Sequence, residues 1–308
     1  MSISVIRTTE AWWRVEGGVA TQVNTAAITT ADLLADRPAL DAAVGGDTPV
    51  GTLAALSPVT TPCRVVAQLL NYRSHAVDAR ADVDSLQPTF FRKSSASISG
   101  PTDPIRTPPE VGLLDYEIEL GLVIGAHIPI NQVVTPELLS DFVAGIVVTN
   151  DVSAREIQLT KVQVYESKSY PTFTPVGPRL VLLEPGEFAR IPELRMTLSV
   201  NGEVRQDQVI GDDLLTPPAA ALTRLARFQT LAPGDLLLTG TPVGTAISAP
   251  PALVQKLGEL LPAALKWKLF FSRQARNPKY LSTDDVVTAR IATADSALDL
   301  GTQNNVIW

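Results

Sequence analysis

The sequence predicts an α+β protein dominated by strands, with a small N-terminal domain over residues 1–62 and a larger domain over 63–308. Three observations predict it. Prolines (24) and glycines (19) divide the 308 residues into short apolar runs of strand length. Helical spacing of leucines is confined to a few stretches. A proline-marked connector, residues 57–62, closes an opening stretch in which short apolar runs alternate with Gly, Thr and Ala.

Along the larger domain the strand candidates are residues 120–124, 142–148, 180–183, 196–200 and 236–238, each an apolar run ended by turn-forming residues. Apolar residues three and four apart predict helix around 140–144, over 217–228 and over 252–271. No repeat of fixed period is present. Residues 251–280 stand apart as a basic helical insertion, because Lys256, Lys266, Lys268, Arg273, Arg276 and Lys279 face a single acid, Glu259. With Leu257, Leu261, Trp267 and Phe270 interleaved and Pro262 breaking the run, two readings fit. It is either a helix pair packed on the domain or a basic amphipathic surface for a membrane or partner.

Composition excludes several classes. With 45% hydrophobic and 19% charged residues the chain is too apolar for a disordered protein. Its net charge of −7 lacks the cationic field that phosphate backbones require, so no nucleic-acid partner is expected. Two histidines, His75 and His127, and one cysteine, Cys63, cannot build a His/Cys zinc site, so a metal here would be held by oxygen. A single cysteine forms no internal disulfide. Residues 1–13 carry neither the basic nor the apolar region of a signal peptide, and no run approaches the ~18 apolar residues of a membrane span. A cytoplasmic location is the expectation.

Five segments carry candidate chemistry. In LDYEIELG, residues 114–121, Asp115, Glu117 and Glu119 share one strand face. That pattern fits a solvated acidic face. It also fits a buried cluster, since 121–124 continues apolar on both faces, and buried carboxylates need protons or a hard divalent cation. In VVTNDVSAREIQ, residues 147–158, Asp151 ends an apolar strand, either as a helix cap or as a ligand. KSYPTFTPVGP, residues 168–178, sets Lys168 before a proline-rich turn. In LNYRSHAVD, residues 70–78, His75 and Asp78 are three apart, the spacing at which a carboxylate on a helix can orient an imidazole as general base. LAPGDLLLTGTPVG, residues 231–244, brings glycines and the Thr241 hydroxyl after a strand, where they could meet an anionic group.

Taken together, LNYRSHA, PTFFRKSSASISGP, LDYEIELGLVIG, NDVSAREIQ, KSYPTFTPVGP, VNGEVRQD and PGDLLLTGTPVG resemble the fumarylacetoacetate hydrolase family. The resemblance runs in order over residues 65–244 and resumes over 281–307. It implies a strand-rich layered catalytic domain and a homodimer. It also implies a divalent cation, Mg2+ or Mn2+ with Ca2+ able to replace it in crystals, held by Glu117, Glu119 and Asp151. By the same resemblance Arg155, Gln158 and Thr241 face the substrate, and Lys168 and the lid histidine His75 are catalytic. Asp78 stands where many members carry glutamate, and Gly244-Thr245-Ala246 replaces a glycine-rich turn.

The activity implied is hydrolysis of a C–C bond in an acylpyruvate-like 2,4-dioxo acid, with water activated by His75 and Asp78. Decarboxylation or isomerisation of a small-molecule 2-oxo acid at the same site is the alternative. A non-catalytic, metal-dependent binding protein is the third reading.

Overall fold

A computed structural model describes residues 2–161, 164–247 and 262–308. Two sheets carry the architecture. Their strands in chain order are β1 (Ile3–Arg7), β2 (Trp12–Glu16), β3 (Val19–Gln22), β4 (Thr48–Pro49), β5 (Val65–Leu69), β6 (Thr89–Lys93) and β7 (Ile118–Ile124). There follow β8 (Val143–Asn150), β9 (Leu180–Leu182), β10 (Arg195–Val200), β11 (Glu203–Val209), β12 (Leu236–Leu238), β13 (Val286–Ala292) and β14 (Asp299–Val306). The larger sheet has ten strands in the order β4-β3-β2-β1-β9-β8-β7-β12-β5-β6, and the smaller has four in the order β11-β10-β13-β14. This is the strand-rich α+β protein the sequence predicts, and each predicted apolar run supplies a strand.

Burial on both faces explains why those runs are continuous rather than alternating. In β7 every residue is buried. Ile118, Leu120, Leu122 and Ile124 join Met196 and Leu198 of β10 and Val287 and Ile291 of β13 in one core cluster between the sheets. Val123, on the opposite face, packs with Val65, Ala67, Leu236 and Leu238. Each such side chain contributes on the order of 1.5–3 kcal/mol on leaving water.

The large sheet crosses residue 62 without a break. β1 pairs antiparallel with β9, Ile3 opposite Leu182, so the N-terminal strands extend the sheet that carries the site. Val5, Trp12, Leu33 and Leu40 share a core cluster with Leu180 and Leu182. Helices follow the predicted stretches: Leu139–Phe142, Pro218–Leu225 and Ala263–Gln274. The first part of the basic insertion, through residue 261, lies outside the described residues. Its last part is the helix Ala263–Gln274, which leaves Leu265, Trp267 and Leu269 exposed.

Register places the functional side chains. β7 and β8 are antiparallel with Glu119 opposite Thr149 and Ile118 opposite Asn150. Pairing continues past the strand end, since the Asp151 N–H donates to the Glu117 carbonyl at 2.8 Å. A two-residue ladder beyond it sets Asp115 opposite Ser153, just before the helix Arg155–Thr160. Four carboxylates and an arginine thus converge from two adjacent chain segments.

Candidate active site

Glu117, Glu119 and Asp151 are buried, and each offers a carboxylate oxygen within 4.8 Å of the others. The solvated acidic face that the pattern also allowed is not what forms, because Asp115 on the same face is buried too. Four carboxylates in low dielectric require compensation. Three buried cations provide most of it. Lys168 Nζ lies 2.6 Å from Glu117 Oε2 and 2.7 Å from Asp151 Oδ2. Arg155 reaches Asp115 Oδ2 through Nε at 2.8 Å and Glu117 Oε1 through Nη2 at 2.5 Å. Lys93 pairs with the other Asp151 oxygen and donates to the Phe173 carbonyl at 3.0 Å.

One carboxylate is left without a cation. Among the described residues Glu119 makes no ion pair, and its Oε2 accepts only the Gly240 N–H, at 2.7 Å. Gly240 has φ +89°, and a Cβ there would lie 2.9 Å from Asn71 Cβ, so glycine is what allows the backbone to reach the carboxylate.

Electrostatics follow from these pairs. Burial would raise the Glu117 carboxyl, but Lys168 and Arg155 outweigh it and hold the group well below the ordinary carboxylate range. Burial, with Asp151 and Glu117 as like charges, pushes Glu119 well above that range. Lys168 is buried as well, yet Asp151 and Glu117 raise its pKa. For Lys93 burial dominates and lowers the pKa despite Asp151. A divalent cation bound by oxygen would take the place of the proton on Glu119, so the donor set fits a hard ion such as Mg2+ or Mn2+.

Of the other candidates, His75 lies in the helix Arg73–Asp78; burial lowers its pKa, partly opposed by the field of Glu117, and so favours the neutral ring. Among the described residues its Nδ1 is buried with no hydrogen-bond partner, so this nitrogen makes no hydrogen bond to Asp78. Ser74, one residue earlier, is tied to Asp213 by its backbone N–H at 2.8 Å and its hydroxyl at 2.5 Å, which anchors the start of this helix to the turn after β11. Gln158 accepts from Arg155 Nη1 at 2.7 Å. The Thr241 hydroxyl donates to the Ile118 carbonyl and accepts from Gln206 Nε2, both at 2.8 Å, so Thr241 braces β7 directly.

Sequence reasoning missed Lys93 and Gln206. Lys93 had a usable signal, since it shares a face with Phe91 at period two on the strand Thr89–Lys93. Gln206, in β11, lies in the VNGEVRQD segment but had no local signal of its contact: its Oε1 accepts the Ile118 N–H at 3.0 Å across a fold the local sequence does not reveal.

Comparison with known proteins shows which family the chain belongs to. The chain is 36% identical over 208 residues to oxaloacetate tautomerase Fahd2a, mitochondrial, of Rattus norvegicus, covering 66% of this chain and 63% of that protein. The chain thus spans less than two thirds of that relative's length. It is 36% identical over 219 residues to the 2,4-didehydro-3-deoxy-L-rhamnonate hydrolase of Sphingomonas sp. (strain SKA58), covering 70% and 74% of the two chains. The solved fumarylacetoacetate hydrolase of Exiguobacterium antarcticum superposes with a TM-score of 0.71 at 25% identity, over 100% of this chain and 99% of that one. The description "Fumarylacetoacetate (FAA) hydrolase C-terminal" matches residues 64–307, a stretch that contains all the carboxylates and cations above. The chain belongs to the fumarylacetoacetate hydrolase family.

Proposed function

We infer that this chain is a divalent-metal-dependent enzyme of 2-oxo acids, and that its reaction is hydrolysis of the C–C bond of an acylpyruvate-like 2,4-dioxo acid. The observation that carries the reading is the buried triad Glu117, Glu119 and Asp151, in which Glu119 alone lacks a cation partner among the described residues. These three would hold Mg2+ or Mn2+, which when bound supplies Lewis acidity toward the 1-carboxylate and 2-oxo group of the substrate.

The chain's own residues do the rest. His75, neutral through burial, takes a proton from water as the hydroxide attacks the distal carbonyl. Asp78, three residues on in the helix Arg73–Asp78, orients the ring when substrate is bound. The C3–C4 bond breaks, the distal part departs as a carboxylic acid, and the electron pair left on C3 of the pyruvate unit takes up the proton that His75 received from water. Lys168 and Arg155, positively charged in the cluster, offset the negative charge that develops. Gln158 holds Arg155 in that orientation.

A second reading is favoured by one observation. With His75 Nδ1 unpartnered among the described residues, reactions that need no activated water, such as tautomerisation, isomerisation or decarboxylation of a 2-oxo acid, fit the same residues. The similarity to an oxaloacetate tautomerase supports it. The proposal also takes the protein to be a cytoplasmic homodimer. Among the described residues no helix is long and apolar enough to cross a membrane.

A product assay with Mg2+ or Mn2+ against acetylpyruvate, fumarylpyruvate and oxaloacetate tests the reading. Pyruvate with an acid co-product supports hydrolysis. Pyruvate with carbon dioxide, or enol conversion without pyruvate, moves the assignment to the second reading. No turnover of any of the three contradicts both.

A further inference from the structure

Asp115 is a buried carboxylate that the proposed reaction does not use, and every acceptor position it has is filled. Its Oδ1 accepts the N–H groups of Tyr116 and Ala246, both at 2.8 Å. Its Oδ2 accepts Arg155 Nε at 2.8 Å and the Ile247 N–H at 3.1 Å. Two of these donors belong to the loop that follows Thr241. That loop passes close to β11: Gly244 has φ +114°, and a Cβ there would lie 2.2 Å from the Arg205 carbonyl. From the far side, Asn277 Nδ2 donates to the Ala246 carbonyl at 2.8 Å.

Asp115 and Glu117 stand two residues apart on one face, and the Arg155 guanidinium spans them. A planar fork that contacts two carboxylates at once has its direction set by both. Asp115 therefore determines where Arg155 aims, and Arg155 determines where one Glu117 oxygen is held.

We propose that Asp115 is a positioning residue, which aims Arg155 at the metal ligand Glu117 and ties that aim to the loop 244–247. The inference rests on Glu117, Glu119 and Asp151 being the metal ligands. Asp115→Asn keeps the shape, removes one charge and turns one acceptor into a donor facing donors. Outer partners of metal ligands typically contribute about 10-fold to 100-fold in metal affinity.

The test is Mn2+ binding to the purified full chain, read by the electron paramagnetic resonance signal of free and bound Mn2+ and referred to the folded fraction from circular dichroism. Asp115→Asn is expected to weaken binding by about 10-fold or more. A role in folding alone would lower the folded fraction and leave the affinity of each folded site unchanged. Arg155→Lys, which keeps the charge and loses the fork, is expected to show the same fall and serves if Asp115→Asn does not fold. Parental Mn2+ affinity in either variant overturns the proposal. Glu119→Gln separates the two ideas: if it too binds Mn2+ as the parent does, the metal-site reading has failed. If it alone loses binding, only the role of Asp115 has.

Discussion

The Gly240 N–H donates to Glu119 Oε2 at 2.7 Å, and among the described residues it is the only hydrogen bond to that carboxylate's oxygens. Glu117 and Asp151 each meet cations, whereas Glu119 meets a single backbone dipole. That difference makes Glu119 the group whose charge a bound ion would complete.

In the metal-free protein Glu119 holds its proton above the ordinary carboxylate range, through burial and the like charges of Asp151 and Glu117. A carboxyl raised in this way contributes stability that is fully present below its unfolded value of about 4.3 and is lost as pH rises through the folded value. A cation must displace that proton, so binding strengthens over the same window. The thermal shift on adding Mg2+ is expected to be larger at about pH 8 than at about pH 5.5. A shift independent of pH would contradict this assignment.

Lys93 and Asp151 form an ion pair with both side chains fully buried. Lys93→Met removes the cation and leaves Asp151 with one partner fewer. Breaking a buried pair in this way costs on the order of 3–5 kcal/mol. Urea unfolding of the metal-free variant is expected to show that loss, and Mn2+ should restore part of it. Unchanged unfolding would mean that the pair contributes nothing.

Asp151→Asn is expected to abolish turnover, while Lys161→Ala has little effect. Among the described residues Lys161 pairs only with Glu166, and both are about half exposed. An exposed pair of this kind contributes little to stability. Equal damage in the two variants would point to a folding defect rather than to lost chemistry.

His75→Ala separates hydrolysis from the reactions that need no activated water. Loss of a general base costs on the order of 100-fold or more in hydrolytic rate. Tautomerisation or decarboxylation should survive better. Hydrolysis at the parent rate in His75→Ala would remove the water-activating role and leave the second reading.

Much of this was legible in the sequence. The apolar run 120–124 and the alternation of 115, 117 and 119 fix a buried strand with carboxylates on one face, and the structure buries both. What the alternation could not decide was whether that face met solvent, because the partners come from far away: Lys168 is 51 residues from Glu117 and Gly240 is 121 from Glu119. Local pattern carries periodicity, not the identity of a long-range neighbour. The same limit explains Thr241, whose hydroxyl braces the Ile118 carbonyl, and Gln206, which reaches that strand from the second sheet. The spacing of His75 and Asp78 was correct for a helix, and the helix formed, but spacing does not specify which way an imidazole turns.

The most direct test of the central claim is anomalous diffraction from crystals of the protein soaked in Mn2+. One strong peak is expected, with carboxylate oxygens of Glu117, Glu119 and Asp151 at about 2.0 to 2.6 Å. A peak elsewhere, or none at these three residues while Lys168 keeps its contacts to Glu117 and Asp151, would contradict it.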